Sequence, residues 1–265
     1  MKVHRVYGIV LRHLFLLRRN ADRAFEIFLF PILDLFIWGV TSVYFSSIAA
    51  SSSRPASQIV LMIVASIILW MIVWRTQMDI PMGLLEDLWN RNLLNLFVSP
   101  LSFREWIAGF IALSFVRTIL SISCASLVAF LLYQINLFHF GFAFLPLLFL
   151  LLMVGWWLGL IILSLILRFG TSVQALAWSL GSVLVPFSAI YYPMNALPHW
   201  AQLIAISFPM AYIFEEMRRV IQTGSLSWQH LWMPFVLNIG YLLFASGCVL
   251  VAFRYRLRRG LIALE

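Results

Sequence analysis

Of 265 residues, 63% are hydrophobic and 11% charged, and a mean hydropathy of +0.97 leaves too little polar surface to clothe a water-soluble domain. An all-α integral membrane protein is expected. The net charge of +8 reads as an orientation signal and an affinity for anionic headgroups, so membrane lipids are expected partners and nucleic acid is not.

In chain order, residues 1–23 are interrupted by Lys2, Arg5, Arg12, Arg18 and Arg19, which argues against both a span and a cleavable leader. Arg5, Arg12 and Arg19 recur along one helix face while Val3, Val6, Val10, Leu14 and Leu17 gather on another, the pattern of an amphipathic helix lying in the interface. Six apolar runs follow, each long enough at roughly 18–25 residues to cross the hydrocarbon core as a helix. They are expected at 25–47, 57–80, 106–133, 142–167, 173–190 and 231–253. Arginines crowd the N-terminus, the loops at Arg91 and Arg168, and the tail at Arg254, Arg256, Arg258 and Arg259, whereas Arg54, Arg218 and Arg219 fall on the other side. The positive-inside bias then places both termini in the cytoplasm, as an even span count requires. Cys124 and Cys248 lie in apolar runs and read as small core residues.

The longest cytoplasmic loop, 81–109, predicts a short helix over 82–98 with Glu86 and Asp87 near its N-terminus and Arg91 one turn after Asp87. The VSPLS turn then breaks it, and Ser102 with Glu105 reads as a capping box opening the third span. Five ionisable residues fall within or at the edge of the first three spans: Glu26, Asp34, Arg75, Asp79 and Arg117. Charges at such depth must be paired or face a wet cavity, so they are expected to point inward. Counting about 1.5 Å per residue from the cytoplasmic edge puts Asp34 and Arg117 at similar depth, which predicts an ion pair between them, with Arg75 and Asp79 one turn apart at the mouth of a substrate path. Gly155 and Gly159 form a small-xxx-small pattern that permits close helix approach.

After the fifth run, YYPMNALPHWAQLIAISFPMAY over 191–212 is punctuated by Pro193, Pro198 and Pro209, and EExRR with a terminal Gly224 follows. Pro198 and Pro209 suit the first turns of two short helices and Gly224 suits a C-terminal cap. Two re-entrant half-helices are expected over 193–224, with Glu215, Glu216, Arg218 and Arg219 neutralising one another and holding an external gate.

This order of Pro, Leu-Pro, aromatic, Pro and Glu-x-x-Arg, with the SPLS turn of the first cytoplasmic loop, resembles the permease subunits of type 2 ABC exporters, and the resemblance extends over most of the chain. It implies a homodimer in a bacterial cytoplasmic membrane, bound to two copies of a cytosolic ABC ATPase that itself carries the ATP and magnesium. It implies further that 1–23 is a connecting helix, that 82–98 is a coupling helix contacting the ATPase through Glu86, Asp87, Trp89, Arg91, Asn92, Leu93 and Leu94, and that the loop at Arg168 joins it. One departure is that the GlyThr-x-Glu often found ahead of the turn is here Arg91–Leu94. No cofactor is expected in the chain itself: Lys2 is the single lysine, and no GxxxxGK(S/T), HExxH or GxSxG occurs. The aromatic content suits an amphiphilic or lipid-linked substrate. A secondary transporter, a membrane scaffold and a lipid-modifying enzyme are the other classes compatible with the composition.

Overall fold

The computed structural model describes residues 2–19, 21–48, 56–90, 100–135 and 141–259. These residues form nine α-helices and no strand: α1 Val3–Arg19, α2 Ala21–Ile48, α3 Ala56–Trp89, α4 Phe103–Tyr133, α5 Phe144–Phe169, α6 Ala175–Leu184, α7 His199–Ser207, α8 Pro209–Thr223 and α9 Trp228–Arg259. Five stretches are long and apolar enough to cross a membrane: Phe28–Ser47, Gln58–Trp89, Phe103–Tyr133, Gly141–Val173 and Trp228–Leu257. This is the architecture of an all-α membrane protein.

Helix α5 is the central post, packed between α3 and α9, while α2 and α9 are largely exposed. The α3–α5 contact is close because two of its positions have no side chain. A Cβ at Gly155 would collide with Thr76, and one at Gly159 would meet the Gln77 carbonyl at 2.9 Å. That carbonyl is itself unusual, since Pro81 has no N–H to donate to it four residues on. The expected small-residue packing is therefore observed, and its partner is α3.

Side-chain contacts set the two ends of the bundle. The Lys2 backbone N–H donates to Glu105 at the start of α4, Phe103 stacks on Phe253 at 4.0 Å, and Arg256 donates to the carbonyls of Leu167 and Arg168. The N-terminus, the start of α4, the end of α5 and the end of α9 thus gather at one end. At the other, the Ser227 N–H donates to Glu216 just before α9 begins. Between Phe169 and Trp228 the chain must return from the first end to the second, and it does so in pieces.

Here the structure corrects the expected fifth span at 173–190. Gly170, with φ 78°, ends α5; a 3₁₀ turn covers Gly170–Val173, α6 has ten residues, and a second 3₁₀ turn covers Val185–Phe187. The apolar helical stretch Ala175–Phe187 is well short of the ~20 residues a span needs. Pro186 starts the tightening, and Ala189, with φ 55°, reverses the chain in the left-handed region. A second correction concerns 82–98. Residues through Trp89 continue α3 across Pro81, so Glu86 and Asp87 occupy the last turn of a long helix and not the first turn of a short one. Residues 91–98 lie outside the described residues. The capping box at Ser102 and Glu105 is formed as expected, and α4 starts at Phe103.

Candidate functional site

A polar cluster lies inside the apolar bundle. Asp79 of α3 is buried, and its Oδ1 accepts from Arg117 Nη1 of α4 at 2.8 Å and from Arg75 Nη2, one turn back on α3, at 3.3 Å. Beside it the hydroxyls of Thr76 and Thr118 are 3.1 Å apart, and Trp156 Nε1 donates to Ser114 at 3.0 Å. The expected Arg75–Asp79 pair is present.

The expected Asp34–Arg117 pair is not. The Tyr133 hydroxyl donates to the Leu35 and Phe36 carbonyls, and Tyr133 lies more than four turns beyond Arg117 on α4. Asp34 is therefore far along the bundle from Arg117. Depth counting assumed that α2 and α4 begin level, but α1 occupies the space beside the first turns of α4, with Ile9 against Gly109. Arg117 takes Asp79 instead.

Asp34 is exposed, one step around α2 from the buried stripe of Pro31, Leu35 and Gly39. One turn on, Trp38 stacks on Tyr191 with centroids 4.6 Å apart and an angle of 19°. Asp34 thus lies inside an apolar stretch, beside two stacked rings, where facing lipid would cost about 2.5–3.5 kcal/mol on insertion scales. On α6, Trp178, Ser179 and Ser182 are exposed.

Gln77 was not singled out by sequence, although an amide two residues after Arg75 in an apolar run was a signal. Its side chain is fully buried, both polar atoms lack a hydrogen-bond partner, and a Cβ at Gly181 of α6 would collide with it. Gln77 is thus the point where the short α6 rests on α3.

The expected gate residues form a clasp. Arg218 of α8 donates to the carbonyls of Ala189, Ile190 and Tyr192, and Glu215 lies 3.5 Å from Arg218 while accepting from the Met194 N–H at 2.6 Å. Glu216, buried, lies 3.5 Å from Arg219 and 3.5 Å from His230, and accepts from the Ser227 N–H at 2.7 Å. One arginine thus ties the reversal after α6 to α8, and one glutamate ties α8 to the start of α9. Pro209 occupies the first turn of α8 and Gly224 its left-handed C-cap, as expected. Pro198 is the N-cap of α7, and Pro193 precedes the 3₁₀ turn Met194–Ala196.

At the terminal end, Asp87 accepts from Arg12 at 3.4 Å and from Trp106 Nε1 at 3.3 Å, and His13 lies 3.9 Å from Glu86. These contacts offset the cost of carboxylates at the negative end of the α3 dipole. They also bind Glu86 and Asp87 to α1 and α4, leaving Trp89 as the exposed member of the set, whereas Arg91, Asn92, Leu93 and Leu94 lie outside the described residues. Arg168 is exposed, 5.6 Å over Phe169 and 5.9 Å over Tyr255. A groove of about 860 Å³ between the far part of α4 and the start of α5 carries no ionisable side chain among the described residues. Among the described residues no three His, Cys, Asp or Glu side chains converge on a metal site. No protein-family model matches the chain, and no curated protein matches it.

Proposed function

We propose that this chain is the membrane-spanning permease subunit of an ATP-driven exporter of the type 2 ABC kind, working as a homodimer with two copies of a separate cytosolic ATPase. The observation that carries this reading is the broken return between α5 and α9. Two short helices starting at or after prolines, following a reversal held by three carbonyls on Arg218, support the half-helix reading of 193–224 that the sequence resemblance implies, with the short apolar α6 in place of the continuous span expected before them. Counted with the five long helices, this return makes a sixth passage, and both termini then fall on the cytoplasmic side. Irregular backbone of this kind is tolerated at membrane depth only where protein covers it, and Arg218 with α8 supplies the cover. The exposed side of α2 that carries Asp34 and Trp38 is assigned to the second copy and the substrate path. Asp79, Arg75 and Arg117 form the structural girder behind that face.

ATP-driven closure of the ATPase dimer would push on the terminal end of α3 and on Arg168. Arg12, Asp87 and Trp106 would pass the push from α3 to α1 and α4. The test is co-purification from native membranes through a tag on the permease. Wild type should bring down an ATP-hydrolysing subunit in equal number, and Arg91→Glu or Leu94→Asp should lose it while the permease still inserts and dimerises. Undiminished recovery of the ATPase with both variants would overturn the coupling assignment.

A further inference from the structure

We propose that the exposed face around Asp34, Trp38 and Tyr191 binds a cationic group, so that the molecule passing this permease is an amphiphile carrying a positive charge. The inference rests on the export reading only for naming the occupant as cargo.

The sign follows from which charges are exposed. Among the described residues in the middle of the long helices, Arg75 and Arg117 turn to Asp79, and Asp79 is buried beneath them. Asp34 is the exposed ionisable side chain, and it is an acid. Its flank is aromatic: Trp38 is one turn along the same edge of α2, and its ring is stacked on Tyr191. A carboxylate one turn from a stacked indole–phenol pair, whose outer faces stay available, suits an ammonium, a guanidinium or a delocalised organic cation, through charge and ring quadrupole together. An anionic headgroup would instead meet a carboxylate in a medium of low dielectric, where like charges repel strongly. The cations that could have answered such an anion are already committed to Asp79.

The position suits a cargo site as well as the chemistry does. Tyr191 belongs to the reversal that Arg218 clasps, two residues after Ala189 in its left-handed conformation. One wall of the site is therefore the long α2, and the other is the turn after the short α6.

The experiment uses the purified full-length permease in neutral-lipid nanodiscs, without any ATPase. The probes are tetraphenylphosphonium and tetraphenylborate, hydrophobic ions of nearly equal size and opposite charge, measured by equilibrium dialysis against empty nanodiscs. Wild type should bind the phosphonium saturably above the lipid background, and should show no saturable site for the borate. Asp34→Asn should weaken phosphonium binding about tenfold or more and Trp38→Ala several-fold, while Asp34→Glu keeps most of it. Thermal unfolding of each variant checks that the bundle is intact, and an Asp34→Asn protein that unfolds early is replaced in the comparison by Trp38→Ala against Trp38→Phe, which keeps a ring. Saturable borate binding, phosphonium binding indifferent to Asp34, or no saturable binding by wild type each overturns the proposal. None of these results touches the ATPase co-purification, and loss of the ATPase link would leave the cation measurement standing.

Discussion

Asp79 answers two guanidinium groups with one oxygen: Arg117 and Arg75 both reach Oδ1, while Oδ2 and the Arg117 Nε are buried without a hydrogen-bond partner. A pair so placed contributes little over an apolar packing of the same volume, yet breaking it is costly because an uncompensated charge stays inside. Arg117→Gln should therefore lower the unfolding free energy by about 3 kcal/mol, with Arg75 still holding Asp79, and Asp79→Asn should cost more, toward about 5 kcal/mol, since it removes the negative charge that both arginines share. Asp34→Asn should be nearly neutral to stability. Thermal denaturation of the purified protein in detergent gives the ranking, and an Asp34→Asn loss equal to that of Asp79→Asn would show that the carboxylates have been assigned the wrong partners.

At the scale of elements, stability depends on how closely helices approach where they lack side chains. Gly155 faces Thr76 and the Gln77 backbone, whereas Gly240 and Gly247 on α9 have nothing within 4 Å of the position a Cβ would take. Gly155→Ala should then force α3 and α5 apart and destabilise by about 1–3 kcal/mol, as overpacking does. Gly247→Ala should be neutral or stabilise by up to about 1 kcal/mol through helix propensity. Tm values of the two variants, measured side by side, check the contrast. Similar Tm losses in both would mean that α9 has a packed face which the single chain does not show.

For the whole molecule, the gathering of the N-terminus, the start of α4 and the ends of α5 and α9 at one end requires the chain to pass back once between α5 and α9. In a membrane this predicts that Asn90 and Ser225 lie on opposite sides. With Cys124 and Cys248 replaced by alanine, a cysteine at Ser225 should react with an impermeant thiol reagent on intact cells, and one at Asn90 only after the membrane is opened. Reaction of both from outside would overturn the proposed sixth passage and the proposed cytoplasmic coupling surface.

Composition alone determined the all-helical membrane class, because apolar runs of this length leave no alternative for backbone polar groups in hydrocarbon. Local rules were equally decisive for the capping box at Ser102, the proline starts and glycine stop around α8, and the close approach at Gly155 and Gly159, since each depends on residues a few positions apart. The register between helices was not legible. That Arg117 reaches Asp79 and not Asp34 depends on the register of α2 against α4, which sets Leu35 and Phe36 beside Tyr133, a long-range packing outcome with no local signature. Hydropathy likewise could not distinguish a continuous fifth span from a ten-residue helix between two 3₁₀ turns, because the same apolar residues serve both; the break depends on Arg218, nearly thirty positions away, satisfying the carbonyls that the reversal at Ala189 leaves open. Glu86 and Asp87 carried a local dipole argument for a helix start, and tertiary contacts with Arg12 and Trp106 allowed them to close a helix instead.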